Sequence, residues 1–305
     1  MFVESSPATF SQARSAIPPD TSPDKLVKEY ITNCIIEGLS GDTLSTYAYR
    51  LNIFLELSSG LSRDNIREYL KKLIEKGLSP STRNAYYRAL HSFFSWVKEE
   101  YNLENHPMMN INPPKIPKRF PSSFAVNELN RLFILTGGNT FLEIRNRALV
   151  LVFLDTGLRL TEMSRLKKEQ VDILTGVFHV IGKGDKERAV RIGKATRKAL
   201  NKYLSRRTDS LPDLWVSEER KPLTRAGIKV TIVKLCRRAG VKGGPHKIRH
   251  TFAVNFLRNG GDLKTLQLNM GHSNIKTTDI YLQSIAEDDL VRVHEKASPV
   301  DNLLK

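Results

Sequence analysis

The chain has few cysteines. Its 305 residues contain two, Cys34 and Cys236, far apart and with no paired spacing. That excludes a disulfide framework and a cysteine-rich zinc site, and a reducing compartment is the expected setting. Long apolar runs are missing too. The longest, residues 148–154, falls far below the roughly 20 residues needed to span a bilayer, so no membrane partner is expected. The first residues show no charged segment followed by an apolar one, so no signal peptide is expected. Negative charge is scarce: 32 acidic residues against 48 Lys and Arg leave a formal charge of +16. Such an excess suits a polyanionic partner, although it speaks about partners and not about fold. The 40% hydrophobic content is enough for one large core or two ordinary ones.

Periodicity divides what is there. Residues 1–22, rich in Ser, Pro and Ala, read as a flexible arm. Residues 23–104 read as a helical domain. Leu44, Tyr47, Ala48, Leu51, Phe54 and Leu55 share one helical face, and Ala85, Tyr86, Ala89, Leu90, Phe93, Phe94 and Val97 share another. Ile66, Leu70, Leu73 and Ile74 predict a third amphipathic stretch between them. The first two segments resemble each other. Gly38, Leu39, Ser40, Thr43, Tyr47, Leu51 and Phe54 recur as Gly77, Leu78, Ser79, Thr82, Tyr86, Leu90 and Phe93 at an offset of about 39 residues. Each copy is a Gly-Leu-Ser entry to a helix, with the serine a natural cap. Arg83, Arg88 and His91 fall on the polar side of the second copy, facing either phosphates or water. Residues 105–124 carry Pro107, Pro113, Pro114, Pro117 and Pro121 among Lys115, Lys118 and Arg119, the composition of an extended basic linker. Residues 125–288 read as a second, mainly helical domain. It is interrupted by the alternating runs 177–181 and 188–192, which flank Gly182-Lys183-Gly184-Asp185-Lys186-Glu187 as a β-hairpin with a basic tip. Residues 289–305 form a tail with apolar positions. The fold class is therefore mainly α with a small β-hairpin, in two domains that a basic linker lets close as a C-shaped clamp.

The chemistry concentrates late in the chain. His246, Arg249 and His250, then Gly271-His272, then Tyr281 gather cations, imidazoles and one phenol, with Arg159 and Lys183 upstream. This is equipment for gripping a phosphodiester and attacking it. Guanidinium forks suit the charge that collects on nonbridging oxygens. A hairpin lysine, Lys183 or in second place Lys186, can protonate a leaving oxygen. Imidazoles such as His246 and His272 titrate near neutrality and can donate to the phosphate or move the nucleophile's proton. Tyr281 is the candidate nucleophile, made competent by nearby cations and a base. Glu162 is placed to partner Arg159, and His250 to support Arg249. Each residue has an ordinary alternative: a surface or paired arginine, an exposed turn, a structural histidine, a packing tyrosine. His246 and His250 are four residues apart, which suits a metal on a helix, but no Glu follows His246, so the zinc-protease pattern fails and no metal site is expected.

The order of the parts carries more than any one of them. TGLRLTE, GKGDKER, His-x-x-Arg-His, Leu-Gln-x-x-Met-Gly-His and a tyrosine nine residues after that histidine follow one another. Over about 125–285 the chain resembles the tyrosine recombinase (phage integrase) family. The stretch HKIRHTFAVNFLRNGGDLKTLQLNMGHSNIKTTDIYLQ is especially close to it. The helical N-terminal part resembles the family's SAM-like core-binding domain, and the layout is most similar to the small Xer-type members, with no arm-binding domain expected before residue 20. The resemblance implies a site-specific DNA recombinase. Arg159 and Arg249 would hold the scissile phosphate, with His246 and His272 completing the site. Lys183 would protonate the 5′ oxygen and Tyr281 would form a 3′-phosphotyrosyl bond. Two strand exchanges would pass through a Holliday junction with neither ATP, cofactor nor divalent metal. It further implies double-stranded DNA as partner, a homotetramer on two DNA sites linked by tail segments, and a cytoplasmic, nucleoid-associated setting. An accessory recombinase or DNA translocase is left open, as is the choice among dimer resolution, integration and excision. Asn269-Met270 departs from the two apolar residues common before the Gly-His pair, a change of packing more than of chemistry. A type IB topoisomerase and a non-catalytic DNA-binding regulator on the same fold are the rival readings.

Overall fold

The computed structural model describes residues 21–117, 122–182 and 186–282, together with Ser298, Val300 and Leu303. The expected N-terminal arm, the hairpin tip with Lys183, and most of the tail lie outside the described residues. The chain divides into two compact units, 1–118 and 119–305, each with its own core.

Among the described residues the first unit contains four helices: α1 (Pro23–Ile36), α2 (Gly41–Leu57), α3 (Arg63–Glu75) and α4 (Pro80–Glu100). Each starts on a serine, and Ser22, Ser40, Ser62 and Ser79 all accept a backbone N–H from three residues on. The 39-residue echo in the sequence is a repeated local structure. Gly38 and Gly77 both adopt left-handed backbone, at φ +76° and +70°, ending one helix where a side chain would be strained. Ser40 and Ser79 then pair with Thr43 and Thr82, both at 2.9 Å, and open the next helix. The predicted faces of α2 and α4 point into the core, where Phe54 meets Tyr69 and Phe94 edge-on at 5.0 and 6.0 Å. The α3 face differs from expectation. Ile66, Tyr69 and Leu73 are buried, while Ile74 is 57% exposed. Tyr69, one turn after Ile66, fills the place assigned to it. On α4, Arg88 is exposed and Arg83 half-buried. His91 is exposed and stacks on His106 at 4.9 Å, with the Ser95 hydroxyl within reach of both rings.

The proline-rich segment is anchored at both ends. Met108 is buried in the first core, and the Tyr87 hydroxyl donates to the Ile111 carbonyl at 2.7 Å. At the other end Phe124 is buried in the second core, its N–H donating to Thr251 Oγ1 at 2.8 Å and its ring 4.2 Å from the Lys247 ammonium. The tether is thus shorter than residues 105–124, because apolar side chains at its two ends join the neighbouring cores.

The second unit runs α5 (Val126–Leu135), α6 (Phe141–Thr156), α7 (Leu160–Arg165), a 3₁₀ turn, β1 (Val171–Asp172), β2 (Val177–Ile181), β3 (Glu187–Arg191), α8 (Lys194–Ser205), α9 (Arg225–Arg238), α10 (Pro245–Arg258), α11 (Leu263–Met270) and α12 (Lys276–Asp279). α6 is its spine. Ala148, Leu149, Val152 and Phe153 are fully buried, and the helix packs against α8 and α10. The sheet is antiparallel in the order β1-β2-β3, pairing Val180 with Arg188 and Ile181 with Glu187. The two-residue β1 is an addition to the expected hairpin, too short for an alternating pattern to announce. Among the described residues no helix is long and apolar enough to cross a membrane.

Replacing Ser79 by Ala removes the α4 cap and is expected to cost about 1 kcal/mol, read as a lower denaturant midpoint. Ser40→Ala should behave alike, since its cap has the same geometry.

Candidate active site

Three turns of backbone bring the candidate residues together. α6 ends on Gly157, at φ +58°, and a methyl built there would lie 2.1 Å from the Phe252 ring. Only glycine makes this close turn. It delivers Arg159 to the start of α7, where the Arg159 N–H donates to Glu162 Oε2 at 2.7 Å. α10 carries His246, Arg249 and His250 in its first two turns. α11 ends on Gly271, at φ +61°, and presents His272 immediately after.

One carboxylate organises the arginines. Glu162, 6% exposed, accepts Arg159 Nη1 at 3.0 Å and a two-pronged bond from Arg188, Nη1 to Oε1 at 2.9 Å and Nη2 to Oε2 at 2.8 Å. Burial alone would push this carboxyl up. The Arg188 bonds, the Arg159 N–H and the charges of both arginines outweigh that and hold it below the ordinary value. Arg159 spends its other prong on the Gly271 carbonyl at 2.8 Å, and Arg188 Nε donates to the Asn269 carbonyl at 2.9 Å. The expected Arg159–Glu162 pairing is therefore present, within a larger network.

Arg249 is buried, and among the described residues no carboxylate bonds to it. It donates to the Gly157 and Met270 carbonyls, the latter at 2.7 Å, and its Nη2 lies 2.9 Å from His272 Nε2. Burial, then repulsion from Arg159, lowers it to about 10, so it still carries its charge at neutral pH. Because a guanidinium has only donors, His272 Nε2 must accept. The Nδ1 proton then faces Thr278 Oγ1 at 2.9 Å. Burial, reinforced by Arg249, Arg159 and Arg188, holds His272 down to about 4. Three guanidiniums around one carboxylate leave this place short of negative charge. A phosphodiester entering it would supply that charge and would raise His272 toward its ordinary value.

Tyr281 lies beyond α12, 2% exposed, among Phe252, Leu257, Leu266 and Met270. Burial raises its pKa, and the Arg249 charge opposes this. Its hydroxyl is 2.8 Å from His250 Nδ1. That corrects the role expected for His250: its ring meets the phenol and not the Arg249 guanidinium, because consecutive helical residues point about 100° apart. Burial, then the charges of His246 and Arg249, keeps His250 below the ordinary histidine value. His246 is exposed at the start of α10. Lys186 is exposed at the hairpin's base, its carbonyl accepting the Gly182 N–H at 2.9 Å. Lys183 lies outside the described residues. Among the described residues no cluster of His, Cys, Asp and Glu has the makings of a metal site.

Two participants were missed in the sequence. Thr278, fully buried, carried no signal. Arg188 did: it shares strand parity with Val190 and Ile192, both buried. A charged residue on the inward face of a strand calls for a buried partner.

His272 gives a pH prediction. Its pKa in the fold lies below the unfolded one, so the unfolded chain binds the extra proton. Stability is complete above about 6.5 and declines as pH falls toward about 4. His250 adds to the same slope. A melting-temperature series across that range should be shallower for His272→Gln than for the parent chain.

Known proteins resemble this chain over most of its length. The phage integrase family model matches residues 124–287, and that of the phage integrase N-terminal SAM-like domain matches 26–102. The chain is 34% identical over 285 residues to tyrosine recombinase XerA of Pyrococcus furiosus, covering 92% of this chain and 96% of that one. It is 32% identical over 265 residues to tyrosine recombinase XerD of Oceanobacillus iheyensis, covering 81% and 89%. Among solved structures, the XerH site-specific recombinase bound to its palindromic difH substrate aligns with a TM-score of 0.67 at 24% identity, over 92% of this chain and 85% of that one. The integrase of transposon Tn1549 with circular-intermediate DNA aligns at 0.73 and 18%, over 89% and 99%. At those identities the two structures speak for the fold alone. With the family model spanning more than half of the chain, this protein belongs to the phage integrase family and is a tyrosine recombinase of Xer type, a DNA breaking-and-rejoining enzyme.

Proposed function

We propose that Arg159, Arg249, His246 and His272 bind the scissile phosphate of a double-stranded recombination site, and that Tyr281 attacks it. The observation that carries this reading is the hydrogen-bonded chain from Arg159 through Gly271 to His272 and Arg249, with Tyr281 tied by His250 to the same helix. Arg159 Nη2 and Arg249 Nη1 are each engaged by a carbonyl that a phosphate can displace or share. In the cleavage step the Tyr281 Oη–P bond forms, the phenolic proton passes to the imidazole of His250, whose Nδ1 lies 2.8 Å away, and the P–O5′ bond breaks. Lys183, with Lys186 in reserve, gives the departing 5′ oxygen its proton. The 5′-hydroxyl of a partner strand then attacks the phosphotyrosyl bond and frees the phenol. Because the phosphodiester energy is conserved, neither ATP nor a divalent metal takes part.

Two such exchanges would pass through a Holliday junction, formed by the first and resolved by the second, with four copies of the chain on two DNA sites. Val291 to Leu304 supply apolar positions for contacts between copies. Arg83 and Arg88 on α4 offer cations to the DNA backbone. The basic charge, the two unpaired cysteines and the Xer relatives favour a cytoplasmic setting at the nucleoid, in dimer resolution or in integration and excision. An accessory recombinase or translocase fits the Xer-type reading.

Tyr281→Phe tests the nucleophile. The variant should bind its site with unchanged affinity and form no covalent adduct on a denaturing gel; adducts that persist would assign the attack to another residue. Arg249→Ala should lower covalent cleavage by on the order of 10²-fold or more, as expected for a buried donor aimed at developing charge. EDTA should leave parent activity intact, whereas a strict magnesium requirement would point to a nuclease.

A further inference from the structure

Arg188 has no part in the chemistry proposed for the phosphate site, yet its side chain is closely housed. Its guanidinium makes both bonds to Glu162, and its Nε donates to the Asn269 carbonyl. The side chain is 13% exposed and that of Glu162 is 5% exposed. Two glycines flank it. A methyl built at Gly182 would lie 3.3 Å from Arg188 Nη1, and one built at Gly271 would lie 3.0 Å from Nη1 and 3.1 Å from Cζ. One glycine opens the hairpin tip. The other closes α11 and accepts Arg159 through its carbonyl.

The guanidinium therefore joins three pieces of backbone distant in sequence. It is rooted in β3, one strand of the hairpin. It holds the acid that also holds Arg159. It grips α11 one turn-end away from His272. The hairpin's base is closed in register by the Gly182 N–H to Lys186 carbonyl bond at 2.9 Å. Phe178, Val180 and Val190 seat the hairpin in the core, and Arg188 adds its polar link to the carboxylate that holds Arg159. Lysine cannot replace it, since a single ammonium lacks the planar fork and the separate Nε donor.

We propose that Arg188 is a positioning residue: seated between Gly182 and Gly271 on the Glu162 carboxylate, it fixes the base of the β2–β3 hairpin against the phosphate site, so that the hairpin lysine meets the departing 5′ oxygen. This rests on the proposed role of the hairpin as the source of the proton. A residue that only stabilised the unit would slow every substrate alike. A residue that aims the proton donor matters only when the leaving group needs a proton.

The test compares two DNA substrates with one protein. One carries the ordinary scissile phosphodiester. The other carries sulfur in place of the bridging 5′ oxygen, and its thiolate leaves without a proton. Arg188→Lys should slow covalent attachment to the ordinary substrate by on the order of 10²-fold, the lower range for a positioned acid. On the sulfur substrate its rate should return close to that of the parent. Unchanged cleavage of the ordinary substrate, or equal slowing on both, would overturn the proposal. A partly folded preparation lowers both rates alike and leaves their ratio unmoved, and Arg188→Gln gives a second variant for the same ratio. Lys183→Ala runs beside it. If that variant is equally slow on both substrates, Lys183 is not the acid, a result separate from that of Arg188, whose rescue reports on leaving-group protonation whichever hairpin group supplies it.

Discussion

Positive charge does not gather on its own. Three guanidiniums held close together repel one another, and burial adds a desolvation cost. In this chain a single buried carboxylate, Glu162, makes the gathering tolerable by accepting from Arg159 and Arg188. Arg249 is held instead by peptide carbonyls, which offset desolvation without cancelling charge. The result is a place whose arginines are tied down yet which remains short of negative charge. Much of the second unit serves that compromise: two helices end in left-handed glycines to aim their carbonyls inward, and α10 buries Arg249 beside them.

The same constraint explains the histidines. A neutral His272 is the form that the surrounding arginines permit, and it accepts a hydrogen bond from the most buried of them. His250, on the next face of α10, is tied to the phenol. The helix thus separates two duties by a single residue step: Arg249 turns toward the anion site and His250 toward Tyr281.

How much of this the sequence disclosed depends on whether a signal was local. The helices of the first unit were legible because caps and apolar periodicity are local, and the Gly-Leu-Ser echo returned as repeated geometry. Ile74 was misplaced because adjacent leucine and isoleucine residues fit two faces, and only the aromatic contact of Tyr69 with Phe54 chose between them. Arg159, Arg249 and His272 were legible as an ordered set, although nothing local said that their carbonyl partners would be Gly157, Met270 and Gly271. The contact of His250 with Tyr281 was hidden, since it joins residues 31 apart in sequence. Arg188 lay between these cases, its inward parity visible but its acid 26 residues away.

Phe124 gives the molecule a mechanical property. The residue that ends the tether is riveted to α10, by a hydrogen bond to Thr251 and by its ring beneath Lys247, and Gly243 leaves room for that ring, since a methyl there would come within 2.3 Å of it. Phe124 is therefore bound to α10 at Thr251, two residues from Arg249 and one from His250. The anchor of the tether in the second unit is thus also a clamp on the helix that bears Arg249 and His250, so loosening Phe124 would loosen the footing of both side chains.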